Sequence, residues 1–295
     1  MDLPLVVGVD GSEPALRAVD WAADEAVLRG LPLRVVYASL WERYEGAALA
    51  RDLGKPDARV AAEDVVRAGA HRARARRPDL AVSLAALPEA PEYALLREAR
   101  NASALVVGSR GRGGVSGLLL GSVGLYVAAH ADCPVVVVRP GGDNQARTAV
   151  HGRVVVGIGD EPAAEVPFAA REAALRGAVL EAVRAWRCPA PEPAGHPLLT
   201  GGPERGYGEA AEEAAAAAAE VLEEALRDVP PRVEVRRRTA EGPAHKVLLG
   251  ASRTADLLVV GARRRPGRLG LQLGRVAHAL LHHALCPVAV VPHRA

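Results

Sequence analysis

Residues 104–138 read ALVVGSRGRGGVSGLLLGSVGLYVAAHADCPVVVV. A β-branched run ends at Gly108, a loop rich in glycine and arginine follows, and an apolar segment restarts at Gly121 and Ser122. This order predicts a strand, a loop, a helix and a further strand at Val135–Val138. Glycine lets a strand end approach a ligand closely, and Ser122 is a natural N-cap, so the helix should direct free N–H groups at an anion. We therefore expect this stretch to bind a polyphosphate.

The common nucleotide-binding motifs are missing from the chain. A Walker A loop ends in Gly-Lys-Ser or Gly-Lys-Thr, but neither Lys55 nor Lys246 stands in that context. The dinucleotide fingerprint also fails, because Ser116 occupies the place of the third glycine after Gly111 and Gly113. Neither of these common motifs therefore accounts for the glycine-rich loop after Gly108.

Composition restricts the classes of protein to which the chain can belong. Its 295 residues, 49% of them hydrophobic, suffice for two globular domains, and a net charge of +2 is too small to favour nucleic acid or a membrane surface. Three cysteines without a Cys-x-x-Cys pair suit a reducing compartment, and the first strand begins without a signal peptide. We expect a cytoplasmic protein that binds neither nucleic acid nor membranes.

Strands and helices alternate along the first half of the chain. Buried runs predict strands at 5–9, 33–38, 80–85, 104–107 and 135–138, and helical spacing predicts helices at 13–29, 57–76 and 91–101. A polar connection is expected at 41–55. Alternation at this spacing requires right-handed crossovers, so the sequence predicts an α/β fold with a parallel sheet covered on both faces.

The second half repeats the first after a linker at residues 140–152. Three segments recur: LVVG at 5–8 as VVVG at 154–157, EAVLRG at 25–30 as EAALRG at 172–177, and SALVVG at 103–108 as DLLVVG at 256–261. A long loop at 188–208 and an alanine-rich helix at 209–228 are expected within the second copy. The chain is an internal duplication.

The spacing Gly108-x2-Gly111-x9-Gly121-Ser122 resembles the nucleotide-binding signature of the universal stress protein family. The duplication is similar to the tandem members of that family. This resemblance implies two domains, 1–142 with an intact motif and 150–295 with a degenerate one. Each would be a Rossmann-like, doubly wound, five-stranded parallel sheet with strand order 3-2-1-4-5.

The resemblance also implies a ligand, ATP with Mg²⁺, and residues that hold it. Asp10 would contact the adenosine, and Ala38 would offer backbone groups to the adenine. The phosphates would be surrounded by Gly108, Arg110, Gly111, Gly121, Ser122 and Val123. The alternative is that Asp10 and Ser122 merely cap helices and that the glycines merely form turns.

The second copy departs from the motif where it matters most. Arg264 replaces a loop glycine, Arg275 replaces the capping serine, and Gly159 falls where Asp10 would stand. We therefore hypothesise that this copy does not bind ATP in the family manner. Arg263, Arg264, Arg265 and Arg275 could hold another anion, or they could form a solvated basic loop.

Two further features leave two alternatives each. His278 and His282, at i, i+4 spacing with His283 beside them, suit either a metal or exposed helix positions. The apolar fifth strands, 135–138 and 288–291, could pair as an internal pseudo-dimer, with a homodimer beyond it, or be covered by their own helices.

No catalytic base or nucleophile can be assigned. We therefore expect ATP to be a structural or regulatory ligand in a stress response. A slow ATP-hydrolysing enzyme and a nucleotide-independent dimerisation scaffold are the alternatives.

Overall fold

Ten strands form one continuous sheet. The computed structural model describes residues 3–40, 58–109, 120–139, 151–161, 164–188, 207–262 and 273–293. The strands are β1 (Leu5–Val9), β2 (Leu33–Ala38), β3 (Val82–Leu87), β4 (Ala104–Gly108), β5 (Val135–Val138), β6 (Arg153–Gly157), β7 (Val179–Trp186), β8 (Val235–Glu241), β9 (Leu257–Ala262) and β10 (Val288–Pro292). Their order across the sheet is β3-β2-β1-β4-β5-β10-β9-β6-β7-β8.

Helices cover both faces of this sheet. Within the described ranges they are α1 (Glu13–Arg29), α2 (Ala58–Arg76), α3 (Pro91–Ala99), α4 (Ser122–His130), α5 (Glu165–Arg176), α6 (Tyr207–Leu226), α7 (Ala244–Ala251) and α8 (Arg275–His283). One hydrophobic cluster joins α1, α2, α5 and α6 to the sheet, and a second cluster joins α3, α4, α7 and α8 to the opposite face. Across the same ranges, none of the helices combines the length and apolar character needed to span a membrane.

Each half of the sheet has the doubly wound order that was expected. We call β1–β5 with their helices the N-terminal half and β6–β10 with theirs the C-terminal half. Neighbouring strands within a half are parallel, and the order in both halves is 3-2-1-4-5. Val6 and Val7 of β1 point to opposite faces, and both are fully buried, which is why the strands are continuous apolar runs.

The two halves are joined edge to edge rather than forming two separate sheets. β5 pairs antiparallel with β10, with Val136 opposite Ala289 at the centre. An apolar edge strand leaves its backbone N–H and C=O groups unpaired, and this pairing satisfies them within one chain. Of the two alternatives for the fifth strands, the structure therefore has the internal pairing.

Some element boundaries differ from those expected. Leu80 is buried in the turn before β3, where its N–H donates to the Arg77 carbonyl oxygen. The strand therefore begins at Val82, two residues after the expected start at Leu80. α3 ends at Ala99, and α6 spans Tyr207–Leu226 rather than 209–228. The expected connection at 41–55, most of the linker at 140–152 and most of the loop at 188–208 lie outside the described residues.

A buried ion network joins α1 to α5 across the junction of the halves. Arg29 contacts Glu25 at 2.6 Å and Glu172 at 2.9 Å, and Arg176 contacts both carboxylates. Burial and the charge of Glu25 raise the pKa of Glu172 to about 7. Burial also raises the pKa of Glu25, but Arg176, a hydrogen bond with Glu172 and Arg29 outweigh it and hold that pKa below its ordinary value. The repeated segments 25–30 and 172–177 therefore supply this ion network, which adds to the β5–β10 pairing between the halves.

Candidate functional site

The carboxyl ends of β1 and β4 bring four of the expected site residues to one edge of the sheet. β1 lies between β2 and β4, in register with both, so the residues that follow these three strands are neighbours. Asp10 follows β1, while Ala38 and Gly108 end β2 and β4. The winding direction reverses between β1 and β4, which is where open α/β sheets bind ligands. Gly121 lies at this edge because its N–H donates to the backbone carbonyl oxygen of Ser109, the residue after β4, at 2.9 Å.

Asp10 organises the turn between β1 and α1. Its Oδ1 accepts hydrogen bonds from the Ser12 N–H at 2.9 Å and the Ser12 hydroxyl at 2.6 Å. Ser12 is in turn the N-cap of α1, with its Oγ accepting from the Ala15 N–H at 3.4 Å. The carboxylate is therefore fixed at the crevice by a local turn, and the helix cap is Ser12, not Asp10 as the capping alternative expected.

Gly108 is required by the packing of α1 over the end of β4. A Cβ atom at this position would lie 2.7 Å from the Pro14 carbonyl oxygen and 2.9 Å from the Ala15 nitrogen. Real Cβ atoms do not approach backbone atoms so closely, so any larger residue would push the helix away. Arg110 and Gly111, the next two expected site residues, lie outside the described residues.

The N-terminus of α4 begins one residue earlier than the sequence suggested. Gly121, with φ −63° and ψ 151°, is the N-cap, and Ser122 is the first helical residue; no side chain of the described residues caps this turn. The prediction of Ser122 as the N-cap is therefore wrong: its exposed hydroxyl lies on the helix. An uncapped first turn leaves the N–H groups of Ser122 and Val123 without intrahelical acceptors, and it directs the positive end of the helix dipole outward.

Ser109 contributes a polar group that the sequence analysis overlooked. Its side chain is 2% exposed, and its Oγ has no hydrogen-bond partner among the residues that the structure describes. Buried hydroxyls are nearly always hydrogen-bonded, so an unpaired one beside uncapped amides fits a ligand oxygen. The donor set at this edge thus suits a polyphosphate. A serine directly after the strand glycine was the available signal.

His282 was expected at an exposed helix position or in a metal site, and the structure shows neither. The side chain is 5% exposed, and its Nδ1 accepts a hydrogen bond from the Leu120 N–H at 3.1 Å. In the described part of the chain, no group of three or more His, Cys, Asp or Glu side chains is arranged to hold a metal ion. The expectation of exposure holds only for His278 and His283.

The C-terminal half differs at the equivalent edge. α1 and α5 both end in left-handed glycines, Gly30 and Gly177, and counting back from these caps places Glu165 at the position of Ala18. Glu165 is buried and pairs with His293 at 2.8 Å. A Cβ added to Gly261 would collide with both side chains. An acid and a histidine therefore lie over the end of β9, whereas the atoms nearest a Cβ at Gly108 of β4 belong to the backbone of α1.

A cavity of about 530 Å³ lies beside the N-termini of α7 and α8 in the C-terminal half. Its lining includes Trp186, Arg187, His245 and Arg275, together with small apolar residues. Arg275 is the first residue of α8, at the position that Ser122 has in α4. The anion alternative for this half therefore has a basic cavity to occupy, whereas Arg263, Arg264 and Arg265 lie outside the described residues.

Comparison with known proteins agrees with this architecture over nearly the full chain. The model of the universal stress protein family matches twice, at residues 3–139 and 151–292. A universal stress protein of Mycobacterium tuberculosis is 33% identical, over 97% of this chain and 96% of its own length. Another from Mycolicibacterium smegmatis is 31% identical, over 98% and 97%.

Solved structures agree on the fold. The crystal structure of a universal stress protein from Archaeoglobus fulgidus superposes with a TM-score of 0.71 at 17% identity, covering 98% of both chains. The duplicated sheet, the two family matches and the full-length relatives lead to one conclusion: this chain belongs to the universal stress protein family.

Proposed function

We propose that the protein binds ATP at the edge formed by β1 and β4 of the N-terminal half, as a structural or regulatory ligand in a stress response. One observation carries the proposal: among the described residues, no side chain caps the first turn of α4 at Gly121, and the buried Ser109 hydroxyl beside it has no hydrogen-bond partner. These donors face the point where the winding of the sheet reverses, and they lie within the family's glycine spacing.

The residues divide between the two ends of the nucleotide. Asp10, fixed by Ser12, is assigned to the adenosine, and the backbone of Ala38 to the adenine. The phosphates are assigned to Gly108, Arg110, Gly111, Gly121, Ser122 and Val123. Mg²⁺ would be held mainly by the phosphate oxygens, since it keeps most of its ligands as water and phosphate.

We assign one ATP to each chain, with the intact motif in domain 1–142 and the degenerate one in domain 150–295. Three features of the C-terminal half support this asymmetry. The Glu165–His293 pair crowds Gly261, Gly159 stands in place of the aspartate, and Arg275 replaces the serine at the helix start. The Glu165 and His293 side chains fill the space over the end of this strand.

A binding role is favoured over a catalytic one. Asp10 is the carboxylate assigned to the adenosine end, and its Oδ1 already accepts two hydrogen bonds from Ser12. General-base catalysis requires a group within hydrogen-bond reach of the attacking water, and the proposed phosphate positions lack an assigned base. We place the protein in the cytoplasm, as its cysteine usage suggests.

Mass spectrometry of the small molecules released from freshly purified, denatured protein tests the proposal. We expect an adenine nucleotide, and a thermal shift on adding excess ATP, because a ligand that binds only the native state stabilises it. Gly121→Arg should abolish both signals. Gly274→Arg is the matched control, since Gly274 caps α8 in the same way and has open space around it.

Two results would redirect the assignment. No nucleotide and no thermal shift would favour the dimerisation scaffold. Multiple ATP turnovers per minute, abolished in Asp10→Ala, would favour the enzyme.

A further inference from the structure

The backbone just before the proposed phosphate helix is held by the other half of the molecule. The Leu120 N–H donates to Nδ1 of His282 at 3.1 Å, and these residues are 162 positions apart in sequence. Both side chains are buried. Because His282 belongs to α8, this contact crosses from the C-terminal half to the start of α4.

Two successive amides are fixed at this point by acceptors from different halves. Leu120 donates to His282, and Gly121 donates to the Ser109 carbonyl at 2.9 Å. The next amides, those of Ser122 and Val123, begin α4 and have no intrahelical acceptors. The direction in which the Ser122 and Val123 N–H groups point therefore depends on the hydrogen bonds of Leu120 and Gly121.

Neighbouring contacts hold the histidine in place. Arg139, after β5, donates from Nη1 to the Leu281 carbonyl, which fixes the last turn of α8 against the N-terminal half. The His282 ring lies 4.4 Å from the His278 ring. An Nδ1 that accepts a hydrogen bond must carry its proton on Nε2, so the contact selects one tautomer of the neutral ring.

We propose that His282 is a positioning residue for nucleotide binding: the C-terminal half supplies the acceptor that orients the phosphate-binding amides of the N-terminal half. This inference rests on the proposed function. The C-terminal half, whose own motif is degenerate, thereby has a role in binding, because the packing of α8 against the start of α4 is linked to nucleotide binding. Linkage is reciprocal, so bound nucleotide should also strengthen the Leu120 contact.

Two polar substitutions of His282 in the full-length protein distinguish a role in positioning the Leu120 amide from a role in packing alone. In His282→Asn the amide oxygen lies near the place of Nδ1 and can accept from Leu120, whereas in His282→Gln the acceptor lies one bond further out. We expect His282→Gln to weaken ATP binding about 5- to 20-fold, the effect of one buried hydrogen bond, and His282→Asn to stay within about threefold of the wild type. His283→Gln, on the exposed neighbour, should bind like the wild type.

Isothermal titration with ATP measures these affinities, and amide hydrogen exchange at Leu120 measures the contact itself. Protection of this amide should be lost in His282→Gln and kept in His282→Asn. Equal ATP affinity in the two variants, with wild-type protein binding ATP, would overturn the inference alone. Failure of the wild type to bind ATP would overturn the proposed function, and exchange at Leu120 would still report whether His282 holds the turn.

Discussion

Replacing Glu172 by glutamine should remove a specific pH dependence of stability. The Glu172 carboxyl is fully buried between α1 and α5, where it meets two guanidinium groups and the Glu25 carboxylate. Burial and the Glu25 charge outweigh the guanidiniums and raise the Glu172 pKa from its ordinary 4.5 to about 7. The folded protein therefore binds a proton at this site more tightly than the unfolded chain does.

The sign and size of the effect follow from this difference. Because the pKa of Glu172 is raised in the folded state, its protonation contributes the full stabilisation of the folded protein below pH 4.5, the pKa in the unfolded chain. This contribution is lost as the pH rises from 4.5 through 7. A displacement of this size corresponds to about 3 kcal/mol of unfolding free energy. Because the pKa of Glu25 is lowered, the stability linked to that group is lost on acidification instead, so the comparison belongs between pH 5 and pH 8.

Urea unfolding at pH 5 and pH 8, followed by far-UV circular dichroism, measures the effect. Over this range, the wild type should lose about 2.5 kcal/mol more unfolding free energy than Glu172→Gln. The matched control is Glu63→Gln, on the solvent face of α2, whose pH dependence should parallel that of the wild type. Identical pH dependence in wild type and Glu172→Gln would refute the reasoning.

Three further substitutions test the edge of the sheet and the junction. Gly108→Ala should lower the unfolding free energy by about 2–3 kcal/mol, because its Cβ would meet the Pro14 carbonyl at 2.7 Å. Gly274→Ala, in open space, should cost far less in the same urea assay; equal losses would contradict the packing argument. Asp10→Ala removes the acceptor of two turn hydrogen bonds, so the variant should lose about 1 kcal/mol of unfolding free energy and should bind ATP more weakly. Unchanged ATP binding in calorimetry would show that Asp10 does not contact the nucleotide. Val136→Asp places a charge at the buried centre of the β5–β10 pairing and should lower the urea midpoint sharply, whereas a wild-type midpoint would argue against that junction.

The fold was largely predictable because its strands are local signals. Runs such as those of Leu5–Val9 and Val135–Val138 are apolar on both faces, which is typical of strands buried on both sides of a sheet. The strand order within one half followed from the family resemblance, and the duplication extended that order to the other half. That the fifth strands would pair with each other was one of two open alternatives, because an apolar run does not reveal what covers its edge.

The details of the site depend on contacts between distant parts of the chain. Ser122 looked like an N-cap, but the hydrogen bond from Gly121 to Ser109 places the cap one residue earlier. His282 looked like an exposed helix histidine, and its burial arises from packing on Leu120 in the other half. Likewise, the repeated glutamate of 25–30 and 172–177 indicated duplication without showing that the two copies meet.

Calorimetric titration of nucleotide-free, full-length protein with ATP tests the central claim most directly. We predict one ATP per chain, no binding in Gly121→Arg, and one ATP per chain again in Gly274→Arg. A stoichiometry of two, or full binding by Gly121→Arg, would contradict a single site built on the N-terminus of α4.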